Sequence, residues 1–131
     1  MRLVAYAIRW AILAVAVWIA AELIDGIQLE GWESTLIIAL ILGLLNVFLK
    51  PILAIVALPL TLLTFGLFLI VINTGLLALT AWIAGKFDEI KFDIEDFGAA
   101  LLGAIVISVV GFVLNQLIDA DKLARDLTRP I

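Results

Sequence analysis

Cysteine and histidine are both absent from the 131 residues. Without cysteine the chain can form no disulfide and no thiolate metal site. Without histidine it lacks the commonest metal ligand and the residue most often used for proton transfer near neutral pH. Charge is also scarce, with Asp, Glu, Lys and Arg making up 15% of the residues against about 25% in an ordinary soluble domain. Eight scattered basic residues and a net charge of −4 argue against a nucleic-acid partner. No serine lies in a nucleophile elbow or a phosphate-binding loop, so neither an enzyme nor a cofactor site is expected.

What the chain has in excess is apolar. Hydrophobic residues make up 66% of it, and the mean hydropathy is +1.28. A soluble domain this short needs a polar coat that these residues cannot supply. Lipid is the solvent that fits. A membrane span needs roughly 20 mostly apolar residues, and four segments qualify or nearly so: Leu3–Leu23, Ser34–Leu49, Gly66–Gly85 and Phe97–Ile118. The first is too long for the apolar core of a signal peptide and is read as a span. The expectation is an all-α integral membrane protein occupying residues 1–131 as a single membrane domain.

Leu13-Ala14 followed by Trp18-Ile19-Ala20-Ala21 recurs 64 residues later as Leu77-Ala78 and Trp82-Ile83-Ala84-Gly85. After a one-residue loop insertion, Glu30, Leu36 and Ala39 recur 65 residues later as Glu95, Leu101 and Ala104. The four transmembrane helices therefore read as two tandem helix–loop–helix repeats of about 1–65 and 66–131. Two spans per repeat keep both in one orientation. Between the repeats, KPILAIVALPLTLLT is apolar but carries Pro51 and Pro59, which read as helix-breaking and mark a re-entrant or interfacial segment or a kinked extension of span two.

Arg2, Arg9, Lys50, Lys122, Arg125 and Arg129 fall at one end of four such spans, and Lys86 and Lys91 at the other. That bias predicts a multi-pass protein with both termini inside. Nine of the twelve carboxylates lie in or beside the two outer loops. They lack calcium-loop spacing and read as a solvated rim, with no metal site. Trp10, Trp18, Trp32 and Trp82 suit the membrane interfaces, with Trp10 deeper. Alternation from Ile90 to Ile94, and Ile27 with Leu29, predict short β-like outer loops pairing as a lid.

Small residues recur at four-residue spacing: Ala16 with Ala20, Ala39 with Gly43, Ala81 with Gly85, Ala99 with Gly103, and Ala104 with Ser108. In lipid such flat strips let helices approach, either within one bundle or in another copy of the chain. The intramembrane polar residues are Arg9, placed to snorkel toward the interface, and Asn46, Asn73 and Asn115, placed to hydrogen-bond between helices or to line a wet path. IDADKLARDLTRP reads as an amphipathic surface helix or a polar tail.

The run LGLLNVFLKPILAIVALPLTLLTFGLFLIVIN carries a more specific signal. It resembles the bacterial phage holin family, the mycobacterial four-span holin superfamily IV that includes YvlD-like proteins. The shared order is Leu45-Asn46, Lys50-Pro51, Leu58-Pro59-Leu60-Thr61-Leu62-Leu63-Thr64, Gly66-Leu67-Phe68-Leu69 and Ile72-Asn73, with IEDFGAALLGAIVIS opening span four. The second outer loop departs from the family, being longer and more acidic than its usual Pro-Gly-aromatic turn. The resemblance implies a holin-like protein of the bacterial cytoplasmic membrane, self-associating into a homo-oligomer that opens a pore or lesion. It carries over no catalytic residue. The residues themselves leave two other readings open: a non-conducting structural or accessory protein organising lipid or a partner complex, and a small channel or transporter. The partner they point to is the lipid bilayer; any protein partner is unknown.

Overall fold

The computed structural model describes residues 2–128; Arg129, counted above with the basic end, lies outside them. Six helices and two short strands follow one another as α1 (Arg2–Leu23), β1 (Ile27–Leu29), α2 (Trp32–Val56), α3 (Leu58–Leu63), α4 (Phe68–Ala84), β2 (Phe92–Ile94), α5 (Phe97–Leu117) and α6 (Ala120–Thr128). Helices α1, α2 and α5 are each long and apolar enough to cross a membrane, and α4 is a shorter apolar helix of 17 residues, at the lower end of the spanning range. This is the pattern of a four-span membrane protein. Large side chains along the helices, such as Phe48 and Val109, face outward at 68% and 56% exposure, which lipid tolerates and water does not.

The four long helices form a ring. Helix α1 packs on α2 and α5, and α4 packs on the same two helices from the other side. At one end β1 and β2 pair antiparallel, with Ile27 opposite Ile94, Gln28 opposite Asp93 and Leu29 opposite Phe92. Alternation points Ile27 and Phe92 into the bundle, where both are buried, and leaves Gln28 and Asp93 in solvent. The strands form the lid that the alternation predicted. Two further amide bonds clamp it: Glu30 N donates to Lys91 O at 3.0 Å, and Glu95 N to Gly26 O at 2.7 Å. The buried Ser34 hydroxyl accepts from Lys91 N at 2.9 Å, joining the longer loop to α2. Gly26 is needed for close approach, since a β-carbon there would lie 2.6 Å from that of Ala99.

Beneath the lid the core is dry. Val17, Ile38, Leu76 and Leu77 are fully buried. The two threonines among them, Thr74 and Thr80, return their hydroxyls to the carbonyls of Ile70 and Leu76 at 2.7 and 2.8 Å. No buried side-chain polar atom lacks a partner among the described residues, as a lipid-embedded bundle requires.

Burial recurs between the halves. Ser34, Thr35, Ile38, Ala39 and Leu42 are buried on α2, and Ala99, Ala100, Gly103, Ala104 and Ile107 are buried at the same spacing on α5, 65 residues on. Ile12, Ala14, Ala16, Val17 and Ala20 match Ile72, Thr74, Leu76, Leu77 and Thr80 at a shift of 60 rather than 64. Four residues are about one helical turn, so both shifts present the same face and differ only in height. The room comes from the helix-to-strand connection, seven residues after α4 (85–91) and three after α1 (24–26).

Pro51 does not break its helix. It lies inside α2, which continues to Val56, and the break falls at Ala57. The ring costs α2 one amide bond, to the carbonyl four residues back, a loss that membrane helices absorb by local adjustment. Pro59 sits in the first turn of α3, where amides have no helical partner in any case. The turn that follows satisfies itself. Thr61 and Thr64 hydroxyls donate to the carbonyls of Ala57 and Leu60. Gly66, at a φ of 91°, donates its amide to Thr61 O at 2.8 Å, a closure of the Schellman type that a side chain at that φ would strain. None of the α3 residues is buried. At the same end Asp119 Oδ1 accepts from Lys122 N to start α6, which packs on α1 with Ala124 buried.

Candidate functional site

Where the dry core ends, a cavity of about 330 Å³ begins, in the half of the bundle away from the lid. All four bundle helices wall it. Leu13 comes from α1, Leu42, Asn46 and Lys50 from α2, Asn73 and Leu77 from α4, and Ala104, Ile107, Ser108, Gly111, Phe112 and Asn115 from α5. Its end toward the buried plug is lined by Leu42, Leu77, Ala104 and Ile107. Its polar residues lie toward the ends of α2 and α5.

Helical geometry explains which polar groups meet. Asn46 and Lys50 are four apart on α2, and Ser108 and Asn115 are seven apart on α5, so each pair shares a face. The Asn73 amide donates across the α4–α5 contact to Ser108 Oγ at 3.3 Å. The Asn115 amide donates to the carbonyl of Gly111, in its own helix, at 2.8 Å. One of the three asparagines thus bonds between helices, one bonds within its helix, and all three line the cavity. Two cavity residues stand outside the asparagines and Arg9 expected at depth: Lys50, placed by the sequence among the topology charges and in the Lys50-Pro51 pair, and Ser108, a small packing residue and polar member of span four. The spacing of Lys50 from Asn46 was the available signal.

Arg9 stands apart. It is exposed on α1, with its guanidinium carbon 5.8 Å from the centre of the Tyr6 ring, and it does not line the cavity. The small residues face inward: Ala16, Ala20, Ala39, Ala99, Gly103 and Ala104 are buried in the bundle. Gly43 is partly buried against Leu13, Ala81 packs at the core's edge, and Gly85 caps α4 in an exposed position. The faces that the sequence left open between self-packing and a second copy are occupied by the chain's own helices, except at exposed Gly85 and where Ser108 opens onto the cavity.

Near the lid Trp18, Trp32 and Trp82 stand out from the helix ends. The Lys86 ammonium lies 4.2 Å from the centre of the Trp82 ring, a cation–π distance. Trp10 is deeper and donates its indole N–H to Leu36 O at 2.9 Å. No group of three or more carboxylates among the described residues could hold a metal ion.

Comparison with known proteins gives a consistent family. The model of the family described as mycobacterial 4 TMS phage holin, superfamily IV, matches residues 4–113. An uncharacterized protein of Streptomyces coelicolor is 43% identical over 109 residues, covering 79% of this chain and 83% of the relative. The uncharacterized membrane protein YvlD of Bacillus subtilis is 40% identical over 93 residues, covering 71% and 75%. No solved structure matches.

Proposed function

The chain belongs to the mycobacterial four-span phage holin superfamily IV, and we propose that it is a non-conducting accessory protein of the bacterial cytoplasmic membrane, organising lipid or a partner complex. The observation that carries this reading is the dry plug. Val17, Ile38, Leu76 and Leu77 fill the axis under the lid, so the polar cavity is a blind vestibule. A conduit would need polar or wet surface along its whole length. Family membership suggests a non-enzymatic membrane protein, and the absence of histidine and cysteine agrees.

A second reading is a self-associating assembly that opens a lesion, which the family description favours. The small-residue strips face the chain's own core, so such an assembly would join through the lipid-facing Leu, Ile, Val and Phe surface. Liposomes carrying the purified protein at high density decide between the two. The non-conducting reading expects a trapped dye to stay inside; leakage that rises with protein density overturns it in favour of the lesion.

Both termini are assigned to the cytoplasmic side. Support comes from Lys50, Lys122 and Arg125 at the end away from the lid and from the carboxylates around it. Because the chain has no cysteine, single introduced thiols report unambiguously. A membrane-impermeant maleimide should label Glu89→Cys in intact cells and Leu127→Cys only after permeabilisation; the reverse pattern inverts the topology. The two halves are further read as a tandem duplication. Supporting this are the matched burial of α2 and α5 at a shift of 65 and the paired lid bonds, Glu30 to Lys91 and Glu95 to Gly26, which exchange under that shift.

A further inference from the structure

Among the described residues Lys50 is the only charged side chain on the wall of the cavity. The four helices around it contain just two carboxylates, Glu22 and Glu33, and both lie at the lid end. Among the described residues the Lys50 ammonium and the Asn46 amide have no side-chain partner in the protein. A half-buried ammonium at the edge of a bilayer is stabilised by an opposite charge or several acceptors that meet it. The surrounding side chains are amides and a hydroxyl, which can donate to an anion as well as accept. A cation would meet a like charge here, and a neutral ligand would leave the ammonium uncompensated.

We propose that the cavity binds a singly charged phosphate oxyanion, the phosphodiester of an anionic phospholipid in the leaflet away from the lid. Lys50 supplies the charge, and Asn46 and Asn73 amides donate to the non-bridging oxygens. One ammonium matches one negative charge, whereas free phosphate near neutral pH is a mixture of mono- and dianion and would keep part of its charge unpaired. The cavity is large enough for a headgroup, at about 330 Å³ in a class where ligand sites run about 300–1,000 Å³. Its apolar walls, Leu13 and Phe112 among them, suit the glycerol end of a lipid better than a hydrated ion. The inference deepens the lipid-organising reading and rests on it for the ligand's source, while the leak assay tests conduction separately.

The test is native mass spectrometry of the full chain in neutral detergent with added phosphatidylglycerol or phosphatidylcholine. The wild type should retain phosphatidylglycerol at least about tenfold more tightly than phosphatidylcholine, whose phosphodiester is already paired with its own choline cation. Lys50→Gln should remove that preference, Lys50→Arg should keep most of it, and Lys122→Gln on α6 should leave it intact. Size-exclusion profiles of each variant report folding, and the Lys50→Arg result keeps the test decisive if Lys50→Gln fails to fold. Inorganic phosphate is the second arm. A phosphate adduct that depends on Lys50, without lipid retention, keeps the oxyanion site and makes its ligand soluble. Equal retention of the two lipids by the wild type, or unchanged preference in Lys50→Gln, overturns the proposal.

Discussion

Leucine in place of Gly103 should destabilise the protein severely, while leucine in place of Gly111, two turns along the same helix, should be neutral or slightly stabilising. At Gly103 a β-carbon alone would come within 2.5 Å of Ile27 Cδ1 and 3.1 Å of Leu77 Cδ2. The first neighbour belongs to the lid and the second to the dry plug. A β-carbon can be accommodated if Ile27 swings its terminal methyl aside. A full isobutyl group cannot, and must either expel the lid or part α4 from α5. Overpacking costs about 1–3 kcal/mol where the surroundings yield, and here two rigid elements meet, so a loss at or above the top of that range is expected. Nothing lies within 4 Å of a β-carbon at Gly111. Replacing a mid-helix glycine there gains up to about 1 kcal/mol of helix propensity. The readout is the thermal unfolding midpoint in detergent, with Gly103→Leu falling well below wild type and Gly111→Leu equal to it or above. Equal midpoints for the two variants would mean that lid and plug are not seated as described. Because Gly111 lines the cavity, its leucine variant should also lose phosphatidylglycerol while staying folded.

The second large effect concerns water. In the cysteine-free chain, single substitutions Asn46→Cys, Asn73→Cys and Asn115→Cys place thiols on the cavity wall, and Ile38→Cys and Leu76→Cys place them in the plug. A small hydrophilic maleimide should label the first three from the side away from the lid. The plug positions must wait for an opening of the bundle, and each 1.4 kcal/mol of opening free energy is about a tenfold delay. A separation of at least that size is expected, with Asn115 fastest because it is exposed. Plug thiols reacting as fast as cavity thiols would describe a continuous wet path, and the channel reading would replace the blind vestibule.

Much of this architecture is legible in the order of residues. The solvent follows from composition alone, because a chain with this much apolar surface and so little charge has no other way to satisfy its exterior. Span positions and the lid strands follow from local periodicity. The alternation at Ile27–Leu29 and Ile90–Ile94 needs only a pleated backbone with one buried side. The capping residues, Asp96 at α5 with its oxygen 2.8 Å from Ala99 N and Asp119 at α6, also act within a few residues.

Pro51 shows where local reasoning stops. Its chemistry weakens a helix, yet whether the helix ends there depends on what the next turn packs against, and α2 runs on for five residues. The small-residue strips are a stronger case. The same alanines could have faced another copy of the chain, and the choice was made by the ring of helices that buries Ala16, Ala39 and Ala104 together. Sequence by itself determined the membrane, the positions of the spans and the lid, since each depends on composition or on periods of two and 3.6 residues. Tertiary structure alone decided that Asn46, Lys50, Asn73, Ser108 and Asn115 meet around one cavity. That meeting depends on the rotation and height of four helices relative to one another, set by the lid register and the packed plug, and no stretch of chain encodes it separately.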